Sequence, residues 1–270
     1  MTALQEKRAA LLSSLRRLGR AAVAFSAGVD STFLLAMAKE ALGENVLAVT
    51  GRLVSFPERE GGEAEEFCRE RGIEHVVVAI DQLAIEGFAE NPPERCYLCK
   101  KALFTQFLAA ARERGFPIVA EGTNADDTND YRPGLRAIAE LGVRSPLREA
   151  GLTKEEIRAL SREMGLPTWD KPSLACLATR FPYGETITAE KIASVDEAEQ
   201  LLRARGFSQV RVRAHGNLAR IEVGREQVPR LAGAEMAEEI SRLLHARGFL
   251  YVTLDLDGYC TGSMNKTIGK

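Results

Sequence analysis

Apolar residues in the first half of the chain fall into short compact runs that alternate with amphipathic stretches. The compact runs predict four strands: one that ends near residue 26, and three that cover 46–50, 75–80 and 117–120. The amphipathic stretches predict helices over 3–18, 31–42, 60–72 and about 96–114. Strands that alternate with helices in this way predict an α/β fold with a parallel sheet covered by helices on both faces. In such a sheet, ligands bind at the carboxyl ends of the strands.

A helix with clear end signals and a punctuated segment follow this region. The helix begins at a capping box formed by Thr153 and Glu156 and stops at Gly165, so we interpret it as structural. Residues 169–184 then carry repeated proline and glycine. A long segment of this kind inside a compact protein is more often functional than a simple connection.

A second pattern begins at Thr188. Strict alternation over 209–215 places Arg211, Arg213 and His215 on one face of a strand and valines on the other. The remaining pattern predicts a helix over about 189–205, a returning strand over 218–223, a helix over 234–248 and a closing strand over 249–256. We therefore predict a parallel-sheet domain over 1–185 and a smaller α+β domain over 186–270, whose sheet has a charged face.

Composition excludes several classes of protein. The 270 residues are 45% hydrophobic and 27% charged, which indicates a globular chain with an ample core. A net charge of −2 gives no basic field for a nucleic-acid partner. No apolar run approaches the ~20 residues that span a bilayer, and the charged N-terminal stretch does not resemble a signal peptide. These features predict a cytoplasmic protein without a membrane partner.

The loop after the first predicted strand reads Ser-Ala-Gly-Val-Asp-Ser from residue 26. Small residues let a backbone approach an anion closely, and the following helix presents unpaired N–H groups toward it. The loop is neither a Walker A motif nor a GxGxxG fingerprint. It resembles the SGGxDS signature of the PP-loop ATP pyrophosphatases, with Ala27 at the first glycine position; an ordinary helix cap is the alternative. The resemblance implies adenylation of a substrate, with ATP bound by Ser26, Gly28, Asp30 and Ser31.

The fourth predicted strand ends in Glu-Gly-Thr-Asn-Ala-Asp-Asp, residues 121–127. This segment resembles the second conserved stretch of PP-loop enzymes and falls at the same edge of the sheet. Gly122 would allow close backbone approach, and with Thr123 it is assigned to ATP. Asp126 or Asp127 could hold Mg²⁺ or the loop itself, and Asp30 and Asp127 are assigned as the candidate Mg²⁺ ligands. A solvated turn is the alternative interpretation of this segment.

Cys176 lies in the punctuated segment, near Lys171 and Arg180. Cationic neighbours favour the thiolate, the form that acts as a nucleophile or sulfur donor. Arg211 and Arg213, on one strand face, have the geometry to bind a phosphate bidentately, although a solvated strand face is the alternative.

The other cysteines leave several interpretations open. Five cysteines in a reducing compartment are expected to be reactive or metal-binding rather than disulfide-bonded. Cys96 and Cys99 form a Cys-x-x-Cys pair that fits half a zinc site, a redox pair, part of an iron–sulfur ligand set or two separate thiols. Cys176 and Cys260 are the candidates for further ligands. Cys68, beside Phe67, is predicted to lie in the core.

Three further motifs narrow the resemblance: Ala-Cys-Leu-Ala-Thr-Arg from residue 175, Arg-Val-Arg-Ala-His-Gly from residue 211, and Asp-Gly-Tyr-Cys-Thr-Gly-Ser-Met-Asn from residue 257. With the PP-loop signature they extend over residues 22–265. The whole chain resembles the LarE family of ATP-dependent sacrificial sulfur transferases. That family thiolates pyridinium-3,5-biscarboxylic acid mononucleotide on the way to the nickel-pincer nucleotide cofactor of lactate racemase.

The resemblance implies that ATP with Mg²⁺ adenylates a substrate carboxylate and that the Cys176 thiolate displaces AMP. Cleavage of the Cβ–S bond would then leave dehydroalanine at position 176. The substrate phosphate would be held by Arg180, Arg211 and Arg213, with Glu222 nearby as an orienting or proton-handling group. A homo-oligomer, a hexamer by resemblance, is also implied.

Some relatives are understood to hold an iron–sulfur cluster that carries a labile sulfide. Here Cys176, Cys260 and one of Cys96 or Cys99 would be the ligands of a [4Fe–4S] cluster, and this version is favoured slightly over the sacrificial one. The alternatives are another PP-loop activity, such as tRNA thiolation or amidation of a small acid, and a nucleotide-binding assembly module without catalysis. The acidic charge balance disfavours RNA as a substrate, and we identify no ammonia source for amidation.

Overall fold

A computed structural model describes residues 2–56, 58–129, 133–172, 175–260 and 263 of the chain. The predicted tail motif is therefore described only from Asp257 to Cys260 and at Ser263. The strands are β1 Ala21–Ala24, β2 Val46–Arg52, β3 Glu74–Ala79, β4 Ile118–Ala120, β5 Val210–His215, β6 Leu218–Val223 and β7 Tyr251–Leu254. The helices are α1 Ala3–Leu18, α2 Val29–Leu42, α3 Glu58–Glu70, α4 Arg95–Glu113, α5 Gly134–Glu140, α6 Pro146–Glu149, α7 Lys154–Glu163, α8 Ala189–Ala204, α9 Val228–Leu231 and α10 Ala234–His245.

The first four strands form the predicted parallel sheet, in the order β3-β2-β1-β4. The chain steps in one direction from β1 to β3 and then returns to place β4 on the other side of β1. The strand order therefore reverses between β1 and β4, and open α/β sheets bind ligands outside the carboxyl ends of the strands at such a point. The loop at Ser26 follows β1, and residues 121–127 follow β4.

Helices cover both faces of this sheet, as the sequence pattern predicts. One apolar core contains Val23 and Ala48 together with residues of α1, α2, α3, α6 and α7. The other contains Ala22 and Leu47 together with residues of α4 and α5. Successive strand residues thus point into opposite cores. Cys68 is buried in the first core, as predicted, and burial raises the pKa of its thiol to about 12, so this cysteine is inert.

The chain divides into two compact units. One comprises residues 1–81 and 96–174, and the other comprises 82–95 and 175–270. In the second unit, β5 pairs antiparallel with β6 and β6 pairs parallel with β7. The predicted α+β character of this region is confirmed, while the domain boundary at residue 185 stays a prediction. None of the described helices is both long and apolar enough to cross a bilayer.

Candidate active site

The loop between β1 and α2 has the backbone of an anion site. Gly28 is the N-cap of α2 and has an extended conformation, with φ −84° and ψ 166°. Because glycine has no side chain to cap a helix, the first N–H groups of α2 are left for a ligand. Ala27 adopts a left-handed φ of 52°, which explains why the related signature has glycine at this position.

Two hydroxyl groups stand beside this helix end. Ser31 is buried, and its Oγ donates to the carbonyl of Gly28 at 3.2 Å. The same Oγ accepts from the Ser26 N–H at 3.3 Å and lies 3.2 Å from Ser26 Oγ. Since Ser31 has one proton and gives it to Gly28, the exposed Ser26 donates to Ser31. An anion at the helix end would compete for these donors, which is the behaviour expected of a phosphate loop.

Gly28 and Gly122 are glycines for different reasons. A Cβ at Gly28 would lie 3.5 Å from Ser26 Oγ, an ordinary contact, so neither packing nor backbone conformation requires glycine there. A Cβ at Gly122 would lie 3.1 Å from the backbone nitrogen of Ser31 and 3.3 Å from the carbonyl carbon of Asp30. Gly122 therefore lets the end of β4 pack against the start of α2, and the space above Gly28 is left for a ligand.

Replacing Gly28 with alanine should weaken ATP binding strongly and leave the protein folded, because the new methyl group enters the space beside the two serines. Alanine is a poorer N-cap than glycine but restricts the unfolded chain, so stability should change by no more than about 1 kcal/mol. Calorimetric titration with Mg-ATP measures the first effect and thermal unfolding the second. Gly233→Ala, at the N-cap of α10, is the matched control. Unchanged ATP affinity in Gly28→Ala would contradict the assignment of this loop.

The segment after β4 forms a hydrogen-bonded turn. Thr123 Oγ1 donates to the buried carboxylate of Glu121 at 2.7 Å, and Ser145 Oγ donates to its other oxygen at 2.5 Å. The Asn124 N–H donates to Asp127 Oδ2 at 3.0 Å. Thr123 and Asp127 thus have structural partners, and their predicted roles toward ATP and Mg²⁺ stay predictions.

Asp30 links α2 to two other parts of the first unit. One carboxylate oxygen accepts from Lys154 Nζ at 2.5 Å and the other from Asn124 Nδ2 at 3.2 Å. A magnesium ion at Asp30 would therefore have to displace at least one of these donors. The carboxylate suits the ion chemically, and the role stays a prediction.

Sequence reasoning missed Asn124 and Lys154. The helix α7 has the predicted capping box, with Thr153 and Glu156 each bonded to the other's backbone N–H, and was interpreted as purely structural. Its first residue, Lys154, is a cation at a helix N-terminus, where the helix dipole disfavours positive charge. That unfavourable placement is the signal that a carboxylate partner, here Asp30, lies nearby.

In the second unit, Cys176 begins a short 3₁₀ turn, Leu177–Arg180. This part of the proline- and glycine-rich segment is an ordered turn that is held by its own hydrogen bonds. The carbonyl of Cys176 accepts from the Thr179 N–H at 2.9 Å and from Thr179 Oγ1 at 2.8 Å. The Sγ atom is not what holds the turn together, and the cysteine side chain is half-buried. The thiolate role of Cys176 stays a prediction.

Arg180 anchors this turn in the interior. Its guanidinium makes two bonds to Glu199, Nε at 2.6 Å and Nη2 at 3.1 Å, and both side chains are almost fully buried. Glu199 also accepts from Arg203 and from the Val212 N–H on β5. Burial alone would raise the pKa of Glu199, but the charges of Arg180 and Arg203 hold it below its ordinary value. Arg180 is thus already paired with a carboxylate, that of Glu199. Sequence reasoning did not include Glu199 among the predicted site residues.

The predicted arginine face of β5 is buried rather than solvated. Arg213 makes two bonds to Glu222 on β6, at 3.1 and 2.9 Å, and donates to the carbonyl of Thr179 at 3.0 Å. Glu222 also accepts from Ser263 at 3.1 Å. The guanidinium of Arg211 lies 5.1 Å from the centre of the Tyr259 ring. The three predicted phosphate-binding arginines are therefore brought together with Cys176 in one unit.

This cluster carries excess positive charge. Burial lowers the pKa of Arg211, and the neighbouring Arg180 lowers it further against the attraction of Glu199. Among the described residues of the cluster, five arginines (Arg180, Arg203, Arg211, Arg213 and Arg220) accompany three carboxylates, Glu199, Glu222 and Asp255. A buried cation with excess positive charge around it favours an anionic ligand.

The other cysteines are distributed between the two units. Cys96 and Cys99 lie at the start of α4 and are half-buried, and Cys260 is exposed. Within the described ranges, no three side chains of cysteine, histidine, aspartate or glutamate form a group that fits a metal ion. The iron–sulfur ligand set of Cys176, Cys260 and one of Cys96 or Cys99 therefore stays a prediction.

The fold and loop define the class of protein. A parallel sheet in the order 3-2-1-4, with a Ser-x-Gly-x-Asp-Ser loop at its switch point, is the nucleotide-binding domain of a PP-loop ATP pyrophosphatase. A part of the chain, 55% of it, is 32% identical over 160 residues to argininosuccinate synthase of Haloarcula marismortui, a PP-loop protein, of which it covers 38%. The chain is therefore an ATP-dependent enzyme of this superfamily.

Two relatives match along their full length. The chain is 40% identical over 271 residues to pyridinium-3,5-bisthiocarboxylic acid mononucleotide synthase of Lactiplantibacillus plantarum, covering 100% of this chain and 98% of that one. It is 42% identical over 267 residues to an uncharacterised protein of Synechocystis, covering 99% and 100%. The chain belongs to the LarE family. No protein-family model matches it.

Proposed function

We propose that this protein transfers sulfur to the carboxylates of pyridinium-3,5-biscarboxylic acid mononucleotide, with ATP as the activating reagent. The product is the bisthiocarboxylic acid that the Lactiplantibacillus relative is named for, a precursor of the nickel-pincer nucleotide cofactor of lactate racemase. The observation that carries the proposal is the Cys176 turn, which Arg180 and Arg213 fasten to a cluster with excess positive charge. A thiol beside an anion site is what transfer of sulfur to a phosphorylated substrate requires.

Activation occurs at the PP-loop. A substrate carboxylate oxygen attacks the α-phosphorus of ATP, the bond from that phosphorus to the bridging oxygen breaks, and pyrophosphate leaves with the electron pair. Gly28, Ser26, Ser31 and the first N–H groups of α2 would hold the phosphates and stabilise the developing negative charge. Magnesium, when bound, would neutralise phosphate charge. The acyl adenylate that results has AMP as a good leaving group.

Sulfur transfer follows at Cys176. The thiolate attacks the acyl carbon, the C–O bond to AMP breaks, and a thioester to the protein forms. A base then removes the Cα proton of residue 176, a Cα–Cβ double bond forms, and the Cβ–S electron pair remains on sulfur. The substrate leaves as a thiocarboxylate and the protein keeps dehydroalanine. Atoms and charge balance without an oxidant or reductant.

The arginine cluster would hold the substrate phosphate. Arg211 is buried beside the Tyr259 ring, and the positive charge of Arg180 acts on it, so an anion would be favoured there and Arg211 is the first candidate for the phosphate contact. Arg180 and Arg213 are assigned to the same site, where their pairing with Glu199 and Glu222 fixes the turn and the strand. A homo-oligomer, a hexamer by family resemblance, belongs to the same proposal; light scattering measures it.

The test is the release of AMP and pyrophosphate by the purified protein with Mg-ATP, with and without the pyridinium substrate. We expect release that depends on the substrate and a thiolated product by mass spectrometry. Substrate-independent ATP binding with no AMP would instead favour an assembly module, and AMP release with tRNA or a small acid would favour the other PP-loop activities. After anaerobic reconstitution, bound iron and sulfide together with multiple turnovers would overturn the sacrificial route in favour of a cluster.

A further inference from the structure

We propose that Lys171 is a positioning residue of the nucleotide loop, and this inference rests on the proposed binding of ATP there. Lys171 Nζ donates to the carbonyl of Ala27 at 3.1 Å and to Glu63 Oε2 at 2.5 Å. Ala27 is the residue in the left-handed conformation, directly before the helix N-cap. The lysine therefore contacts the left-handed residue of the loop, from a position 144 residues away in the chain.

The contact fixes the direction of one N–H group. The peptide bond between Ala27 and Gly28 is trans, so its carbonyl and its N–H point to opposite sides. Holding the carbonyl at Lys171 directs the Gly28 N–H away from the lysine. If the carbonyl were released, Ala27 would relax toward an ordinary negative φ, since an alanine in the left-handed region is unfavourable. The peptide would then rotate and the Gly28 N–H would turn with it.

Lys171 is itself held in place. Arg158 on α7 donates to the carbonyls of Trp169 and Lys171 at 2.7 and 2.8 Å. The Lys171 side chain is only 17% exposed, whereas Glu63 is 52% exposed. The same helix places Lys154 on Asp30 at the start of α2. Helix α7 thus supports both sides of the loop, at the Ala27 carbonyl and at the first turn of the next helix.

A lysine suits this role for electrostatic reasons. The free energy of a charge-assisted hydrogen bond to a carbonyl is of the same order as the free-energy cost of a left-handed alanine. The contact with Lys171 is therefore strong enough to hold the conformation of Ala27. The carboxylate of Glu63 partly neutralises the positive charge of Lys171. The lysine can therefore act on the phosphate through the backbone of Ala27 rather than by touching it.

A thermodynamic cycle tests this role. Mg-ATP affinity is measured by calorimetry for the wild type, Lys171→Met, Ala27→Gly and the double variant. Lys171→Met should weaken ATP binding by roughly tenfold or more, because the loop loses its ordered peptide. In the Ala27→Gly background the same lysine substitution should change affinity less than about threefold, because glycine adopts the left-handed conformation without strain.

Lys39→Met is the matched control. Lys39 also donates to one carboxylate, Glu44 at 2.7 Å, and to one backbone carbonyl, Gly72 at 2.9 Å, in the same unit. Its replacement should leave ATP affinity unchanged. Lys171→Gln, with a shorter neutral donor, replaces Lys171→Met in the cycle if the latter does not fold by circular dichroism.

The outcomes separate the two proposals. A wild-type protein that does not bind Mg-ATP overturns the proposed function. Wild-type binding that Lys171→Met leaves unchanged overturns only the role of Lys171. Weakened binding that persists equally in the Ala27→Gly background shows that Lys171 contacts the nucleotide directly, and also overturns a positioning role.

Discussion

Cys176→Ser is expected to abolish formation of the thiolated product while ATP binding persists. The serine hydroxyl is a far weaker nucleophile near neutral pH and carries no sulfur to transfer, so the loss should reach about three orders of magnitude or more. The fold should survive. The turn at residue 176 is held through its carbonyl, by Thr179 and Arg180, and these bonds do not involve the thiol.

Intact-mass spectrometry after a single turnover measures the outcome. The wild type should lose one molecule of hydrogen sulfide per chain, and Cys176→Ser should keep its mass. Cys96→Ser, Cys99→Ser and Cys260→Ser are the matched thiol controls and should retain the single turnover. Loss of activity in Cys260→Ser and in one of the Cys96 and Cys99 variants would support a cluster instead. Thiolated product from Cys176→Ser would remove this residue from the mechanism.

The nucleotide half of the fold could be predicted because its signals are local. Runs of apolar residues gave the order of strands and helices, and the loop after the first strand carries its chemistry within six residues. The positive φ of Ala27 is consistent with that local signal, since the related motif has glycine there. Local pattern also placed Arg211 and Arg213 on one strand face.

The partners of these residues could not be predicted, because they come from distant parts of the chain. The contact of Asp30 with Lys154 spans 124 residues, and that of Lys171 with Ala27 spans 144. Period-two alternation shows which residues share a face but not what covers it, so the burial of Arg213 against Glu222 could not be seen. For the same reason, the sequence did not reveal that residues 82–95 belong to the second unit, whose other residues lie far along the chain.

Glu199 is a case in which a signal was present and was missed. Its helix has an apolar stripe that includes Ile192, Val195 and Leu202, all buried, and Glu199 lies on that stripe at helical spacing. A carboxylate on the apolar face of a helix requires a buried cation or hydrogen-bond donors. Arg180 and the edge of β5 supply them.

Glu199→Gln is therefore expected to destabilise the second unit by about 3–5 kcal/mol, since it leaves Arg180 buried without its counter-charge. The loss of stability should be largest around the Cys176 turn and β5, because Glu199 joins these two elements through Arg180 and the Val212 N–H. Hydrogen exchange of the amides in 210–223 measures it. Glu239→Gln, which breaks the exposed pair with Arg205, is the matched control and should have a much smaller effect. Wild-type protection in Glu199→Gln would show that Arg180 does not depend on this carboxylate.

The pairing of Glu199 with Arg180 also predicts how the difference in stability between the wild type and Glu199→Gln depends on pH. The pKa of Glu199 is lowered in the folded protein, so its contribution to stability is complete above the unfolded value of about 4.3 and is lost as pH falls through the lower native pKa. The gap in stability between the wild type and Glu199→Gln should therefore be constant near neutral pH and shrink in acid. Glutamine has no proton to gain, so a gap that does not narrow below that value would mean that the pKa of Glu199 is not lowered in the folded protein. In that case Arg180 would be balanced by another group, and the positive cluster around Cys176 would have to be assigned differently.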